Sequence, residues 1–313
     1  MKPAIHSTVF TAVLTASAVC AQDIKPIESI WLLTIPRFPG SEEQDGALAE
    51  KIKQWHKKGV FDAFSLLIYP PTFVCEKDVT KAANKLIAQT AARFIITTLP
   101  VGNEGWESSN NPRLAKRLPG THYDPGRAMS QVQWLERMKT INAEMWGWVP
   151  EHTARIPTPP EAAHSAGEFA KFAKARHKTV VIWLTAQALS RGHRELMLRI
   201  CDATRAHADF YCWMDVEEET LRAGESKWRE TMAEVLDEIL ALTPKEKTVI
   251  QWINHPKWPA KDVDGTKTYI GICQSKGINR FGMLTNLGAG RGLLDQEPWR
   301  RFYSTLPKAR GIR

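Results

Sequence analysis

The sequence predicts an α/β fold consisting of one (β/α)8 barrel, the TIM barrel architecture. Strand-like and helix-like segments alternate eight times along the chain, which is typical of a parallel sheet with helical crossovers. The chain has 313 residues, enough for one barrel of about 250 residues without a second domain. The first strand-helix turn lacks the Gly-x-Gly-x-x-Gly pattern of a dinucleotide-binding sheet. We therefore expect a single barrel domain over residues 22–313.

The first 21 residues have the pattern of a signal peptide. Lys2 gives a positive start, residues 9–19 are apolar, and small residues precede an expected cleavage before Gln22. A buried N-terminal helix is the alternative, and a lipoprotein signal at Cys20 is disfavoured because Ser17 stands where leucine is usual. We therefore expect an exported protein, either periplasmic or extracellular.

Turn residues divide the rest of the chain into strands and helices. Pro36 ends the first strand, Gly59 ends the first helix, and Pro70 ends the second strand. The predicted strands are residues 29–35, 61–69, 94–99, 145–149, 179–185, 210–216, 248–253 and 280–285. The predicted helices are residues 41–58, 80–92, 127–142, 160–176, 194–207, 227–242, 266–276 and 298–306. The long segment 101–125 after the third strand contains Trp106, and its aromatic residues favour a structured lid.

Composition and motifs exclude several classes of function. The net charge of +8 comes from basic residues scattered over helices and tail, so we expect no nucleic-acid partner. No segment after the signal reaches the ~18 apolar residues of a membrane span. Serine-hydrolase, Walker and zinc-protease motifs do not occur, and no cysteines form a C-x-x-C pair. We therefore expect no cofactor and no metal, although the oligomeric state stays open.

The sixth predicted strand carries the strongest chemical signal. If the alternation of residues 210–216 continues through residue 217, Tyr211, Trp213, Asp215 and Glu217 share one face. Cys212, Met214 and Val216 form a small apolar face that suits packing under helices, so we expect the other face to point into the barrel. Carboxylates aimed at the barrel axis are costly unless they are paired, hydrated or functional. Two neighbouring carboxylates also tend to separate their pKa values, which suits acid and base roles. Asp215 and Glu217 are therefore candidate catalytic residues, with a salt bridge to Arg37 as the structural alternative.

A third candidate carboxylate follows the fourth strand. Glu151 comes directly after Pro150, at the C-terminal end of the strand, where barrel enzymes place their active sites. It is a candidate catalytic partner for the carboxylates of strand six, although it can also be a solvated loop charge.

Polar and aromatic residues near other strand ends complete the expected site. Flat aromatic side chains next to carboxylates are suited to stacking against the apolar face of a sugar ring. The predicted substrate-binding residues are Arg37, Tyr69, Trp106, Trp148, Gln187, Trp213, Asn254, His255, Trp258 and Asn286.

The architecture resembles the glycoside-hydrolase-like barrels of secreted bacterial proteins. The resemblance rests on the export signal, the eight βα units, the pattern Trp213-x-Asp215-x-Glu217 and the position of Glu151. It implies cleavage of a glycosidic bond in an oligosaccharide or polysaccharide by a carboxylate pair. A non-catalytic glycan-binding barrel is one alternative. A metal-assisted hydrolase or lyase is another, because Asp215, Glu217, Glu151 and His255 are able to gather a cation.

Overall fold

The computed structural model of the chain shows a closed barrel of eight parallel strands. It describes residues 24–34, 42–68, 73–75, 79–98, 121–123, 131–150, 159–253, 261–285, 294 and 296–309. The barrel strands are β1 (Ser29–Thr34), β2 (Ala63–Ile68), β4 (Arg93–Thr98), β6 (Met145–Trp148), β7 (Thr179–Thr185), β8 (Phe210–Met214), β9 (Thr248–Ile253) and β10 (Arg280–Thr285). They pair in the order β1-β10-β9-β8-β7-β6-β4-β2, and β2 closes the ring on β1. The predicted barrel architecture is confirmed.

Helices follow the strands and form the outer layer. They are α1 (Glu42–Lys57), α2 (Val79–Thr90), α3 (Gln131–Met138), α4 (Pro159–Lys174), α5 (Gln187–Ser190), α6 (Arg194–Thr204), α7 (Val216–Thr220), α8 (Trp228–Leu240), α9 (Val263–Ser275) and α10 (Glu297–Thr305). Eight of these overlap the predicted helices. The two short ones, α5 and α7, were not predicted, and each follows a barrel strand within two residues.

A second, two-stranded sheet lies outside the barrel strand order. Its strands are β3 (Phe73–Cys75) and β5 (Thr121–Tyr123), which pair antiparallel. β3 comes after β2 and β5 comes after β4, so the sheet joins two segments that leave the C-terminal ends of barrel strands. This pairing was not predicted.

Both faces of the barrel strands are buried, in two separate apolar clusters. The outer cluster fills the space between strands and helices and contains Trp146, Trp213 and Trp252. The inner cluster contains Trp31, Val181 and Trp183, among others. Burial on both faces is the rule for parallel sheets covered by helices. The strands therefore have nearly continuous apolar sequences in which alternation alone does not reveal which face points inward.

Aromatic side chains fill the N-terminal end of the barrel interior. The rings of Trp31 and Phe210 meet edge to face with centroids 5.4 Å apart. The guanidinium of Arg280 lies 5.6 Å from the centroid of Phe210 and pairs with Glu28. The barrel interior is therefore packed at this end of the strands.

Gly147 allows Trp183 to lie inside the barrel. A Cβ atom at position 147 would overlap the indole of Trp183 and would lie 3.1 Å from Oγ1 of Thr97. Because the overlap involves a large buried ring, Gly147→Ala should reduce the free energy of unfolding by about 1–3 kcal/mol, as overpacking does.

Urea denaturation of both variants tests this. Gly46→Ala is the matched control, because position 46 is an exposed helical glycine with open space around it. That change should stabilise the protein by about 0.5–1 kcal/mol. Equal effects of the two substitutions would show that Trp183 does not pack against Gly147.

None of the helices within the described part of the chain is both long and apolar enough to cross a membrane.

Candidate active site

The orientation predicted for strand β8 is wrong. Cys212 belongs to the inner cluster, with Phe210 and Met214 packed against it, whereas Tyr211 and Trp213 belong to the outer cluster. The indole nitrogen of Trp213 donates to Oγ1 of Thr243, which follows helix α8. Trp213 is fully buried there and does not contribute to the mouth of the barrel.

Asp215 nevertheless lies at the C-terminal end of the barrel, because the strand ends one residue before it. The backbone N–H of Ala186 still donates to the carbonyl of Met214 at 2.9 Å, and the chain then turns sharply. Asp215 has φ 58° and ψ 25°, the left-handed conformation. Its Oδ2 accepts a hydrogen bond of 3.1 Å from the hydroxyl of Thr185, the last residue of β7. The half-buried carboxylate is thus held between the C-terminal ends of two neighbouring barrel strands.

The conformation of Asp215 costs local stability. An aspartate before the first turn of a helix usually accepts a hydrogen bond from the helix N-terminus, which contributes ~1 kcal/mol. Asp215 is the N-terminal cap of α7, but its side chain makes no capping hydrogen bond. A left-handed conformation at a non-glycine residue costs roughly another 1–3 kcal/mol. Residues held in such unfavourable conformations are typical of functional sites.

The side chain of Glu217 is buried next to helix α9. Its side chain is 1% exposed. It is close enough to Tyr269 and Cys273 of helix α9 for its charge to act on both. Burial raises the pKa values of the Tyr269 hydroxyl and the Cys273 thiol well above their ordinary range, and the negative charge of Glu217 raises them further. Glu217 therefore belongs to the layer between the barrel and its helices.

Two further contacts join helix α5 to helix α7. The side-chain amide of Gln187 donates to Oε2 of Glu218, and the hydroxyl of Ser190 donates to Oε1 of Glu219 at 2.8 Å. Together with the bond from Thr185 to Asp215, these contacts form a series in which neutral donors at the end of β7 and in α5 meet carboxylates after β8. Gln187 thus lies at the C-terminal end of β7, where it was expected.

Glu219 lies in a network of ion pairs that links two helices. It is buried, and Arg222 lies 3.9 Å from its Oε2. Arg222 also pairs with Glu238 of helix α8 at 2.9 Å. This network fastens α7 to α8.

Trp148, a predicted site residue, faces outward, whereas Trp183, which was not predicted to belong to the site, faces into the barrel. Trp148 belongs to the outer cluster, and its indole nitrogen donates to Ser165 of helix α4 at 3.3 Å, so it faces away from the barrel interior. Trp183, which was not among the predicted site residues, lies inside the barrel two positions before Thr185. Period-two alternation from Thr185 would have identified it, once Thr185 was known to face inward.

The remaining predicted site residues lie outside the described residues. They are Glu151, Arg37, Tyr69, Trp106, Asn254, His255, Trp258 and Asn286. Among the side chains that the structure describes, no group of three His, Cys, Asp or Glu residues is arranged to hold a metal ion.

The chain is similar in fold to solved glycoside-hydrolase barrels. The spore cortex-lytic enzyme SleL of Bacillus cereus superposes with a TM-score of 0.54 at 10% identity, over 92% of this chain and 76% of that one. A chitinase from Chromobacterium violaceum gives a TM-score of 0.55 at 8% identity, over 90% of this chain and 100% of that one. The glycoside hydrolase domain of PgaB (BpsB) from Bordetella bronchiseptica gives 0.53 at 12% identity, over 91% and 100%.

These similarities confirm the expected resemblance at the level of architecture. Because the sequence identities are so low, they establish the fold alone. No protein-family profile matches the sequence, and neither does the sequence of any curated protein.

Proposed function

We propose that this protein is an exported glycoside hydrolase that cleaves an oligosaccharide or polysaccharide at the C-terminal mouth of its barrel. The observation that carries the proposal is the carboxylate of Asp215, held by Thr185 between two strand ends in a left-handed backbone conformation. Glycoside hydrolysis uses a pair of carboxyl groups, one of which must be held in a fixed position beside the sugar. The hydrogen bond from Thr185, which fixes the carboxylate of Asp215, supports that role for this residue.

The surroundings of Asp215 are consistent with a sugar site. Trp183 lies two positions before Thr185 on the same inward face, so a buried aromatic side chain underlies this end of the barrel interior. Gln187 adds a side-chain amide at the same edge. The solved structures similar in fold include a chitinase, a spore cortex-lytic enzyme and a glycoside hydrolase domain, which supports the same class of substrate.

Glu151 and the predicted residues of the other strand ends remain part of the proposal on their sequence positions. Arg37, Tyr69, Asn254, His255 and Asn286 follow barrel strands, where they would orient sugar hydroxyl groups. The aromatic residues Trp106 and Trp258 would add stacking surfaces. Export rests on the pattern of residues 1–21, and N-terminal sequencing of the mature protein should find Gln22 first.

The test is an activity assay of the purified mature protein. Chitin oligosaccharides, isolated spore cortex and unrelated glucans would be incubated with the protein, and newly formed reducing ends would be measured. We expect new reducing ends to form with at least one substrate, and we expect their formation to continue in the presence of a chelator. Binding without any release would favour the non-catalytic glycan-binding barrel, and release that stops with the chelator would favour a metal-assisted enzyme.

A further inference from the structure

Gln251 is a buried glutamine that faces the interior of the barrel. It lies on β9, where Ile250 and Trp252 belong to the outer cluster and Val249 belongs to the inner one, so alternation directs Gln251 inward. The residue is only 4% exposed. Within the described part of the chain, no group forms a hydrogen bond with its side-chain amide. Such a position is costly for a polar side chain unless something else binds it.

Gln274 shows how a buried glutamine serves the structure of this protein. It lies in α9 and is 6% exposed, much like Gln251. Its amide accepts a hydrogen bond from the backbone N–H of Lys25 and donates one to the carbonyl of Lys25, both at 2.9 Å. The amide of Gln251 has no such bonds among the described residues, so folding alone does not account for it.

Gln251 belongs to a layer of four side chains that crosses the barrel interior. Each interior layer of such a barrel takes its members from alternate strands. This layer comes from β1, β4, β7 and β9, and we call it the floor: Leu33, Thr97, Trp183 and Gln251. The layer beneath it comes from the other four strands and contains small residues: Ser65, Gly147, Cys212 and Gly282.

The two glycines of the lower layer allow the floor to lie deep in the barrel. A Cβ atom at Gly282 would lie 2.8 Å from the side chain of Leu33 and 3.4 Å from Cβ of Gln251. Gly147 makes room for the indole of Trp183 in the same way. The floor side chains therefore occupy space that larger residues beneath them would have taken.

The interior begins to open to solvent on the C-terminal side of the floor. Val149 and Met214 pack against the inner cluster and are partly exposed. Asp215 follows Met214 at the end of β8, and β8 is the neighbour of β9 in the barrel. The floor thus lies at the base of the end of the barrel that carries Asp215.

The floor is uncharged. None of its four side chains is ionisable, and burial raises the pKa of the Cys212 thiol beneath it well above the ordinary value, which keeps the thiol neutral. A charged group that reached the floor would lose its hydration without gaining an opposite charge there. The floor therefore suits a ligand group that is polar and neutral.

We propose that Gln251 binds the substrate, its amide forming hydrogen bonds with a neutral polar substituent of the sugar unit that enters the barrel furthest. A hydroxyl or an acetamido group has this chemistry, because each both donates and accepts. Trp183 and Leu33 supply apolar surface in the same layer, against which the apolar face of the sugar is able to pack. The inference rests on the proposed glycosidase function for the nature of the ligand, and it adds the residue that selects a neutral sugar.

Calorimetric titration of the Asp215→Asn variant tests binding without turnover. The neutral ligands are tetrasaccharides of N-acetylglucosamine, glucose, xylose and mannose, and glucosamine tetrasaccharide is the charged counterpart. At least one neutral ligand should bind. Adding Gln251→Met should weaken its binding by about 10–100-fold, because a buried sugar group then loses its hydrogen-bond partner. Glucosamine tetrasaccharide should bind at least about tenfold more weakly than the best neutral ligand, because its ammonium groups meet no opposite charge at the floor.

Gln274→Met is the matched control, because it makes the same substitution at a glutamine of similar burial. It should leave glycan binding unchanged and lower the midpoint of urea unfolding, since the backbone groups of Lys25 lose their partner. Gln251→Met should leave that midpoint unchanged or raise it, because methionine has a similar length and needs no hydrogen bond. Opposite results at the two positions separate binding from folding.

The outcomes for this inference differ from those for the glycosidase function. The role of Gln251 is wrong if Gln251→Met binds the neutral ligands as tightly as its parent, if its unfolding midpoint falls as far as that of Gln274→Met, or if no neutral ligand binds. Binding that depends on Gln251, in a protein whose wild type releases no reducing ends, would support the inference and refute hydrolysis. Hydrolysis with the same kcat/KM in the wild type and in Gln251→Met would support the glycosidase function and refute the inference.

Discussion

Replacing Asp215 with asparagine should lower kcat on the best glycan substrate by about 10²–10⁴-fold, with little change in protein stability. Asparagine keeps the shape of the side chain, and its carbonyl oxygen still accepts a hydrogen bond from the Thr185 hydroxyl. It also tolerates the left-handed conformation that Asp215 adopts. The substitution therefore removes the charge and little else, which isolates the chemical role of the carboxylate. Steady-state kinetics and thermal unfolding of the same preparation measure the two effects separately.

Asp209→Asn is the matched control for this experiment. Asp209 directly precedes β8 and Asp215 directly follows it, so the two residues flank the same strand at opposite ends of the barrel. Asp209 pairs with Lys174 at 2.7 Å and accepts a hydrogen bond from the backbone of Val180. Its substitution should cost some stability, by up to about 1 kcal/mol for a partly exposed pair, and leave kcat unchanged. Similar losses of activity in both variants would mean that Asp215 acts only through the fold.

Much of the architecture could be predicted because the signals are local. β7, β9 and β10 have the predicted bounds, and the other five barrel strands lie within two residues of theirs. Gly59 follows the end of α1, where the chain needs a positive φ and glycine provides it. The short helices α5 and α7 were missed because four or five residues carry too little periodicity to detect.

The site was predicted less well, for a physical reason. In a barrel strand both faces are buried, so Tyr211 and Trp213 are equally compatible with either face. The prediction placed them inward by extending the strand through Asp215 and Glu217. The chain instead leaves the strand at Met214, and the left-handed turn at Asp215 reorients everything after it. Aspartate is one of the few non-glycine residues that adopt this conformation, but its propensity alone does not locate the turn. The contacts around the turn come from Thr185 and Gln187 on the preceding strand and helix.

Replacing Trp213 with alanine should test this reorientation, with an expected loss of about 3–5 kcal/mol in the free energy of unfolding. The indole is fully buried between β8 and the helices, and its removal leaves a large cavity that the surrounding helices only partly close. Thr243 keeps other hydrogen-bond partners, Thr248 at 3.0 Å and the carbonyl of Ile239 at 3.1 Å, so the loss is one of packing. Urea denaturation measures it.

Kinetics on the folded fraction of the same variant separates packing from substrate binding. KM should be close to that of the wild type, because the indole faces away from the mouth of the barrel. Trp213→Phe keeps most of the volume and loses the bond to Thr243, so it should cost less than the alanine variant. If Trp213→Ala is instead stable and has a strongly raised KM, Trp213 contacts the substrate. Tyr211 and Trp213 then face the barrel interior, as the alternation through Asp215 predicted.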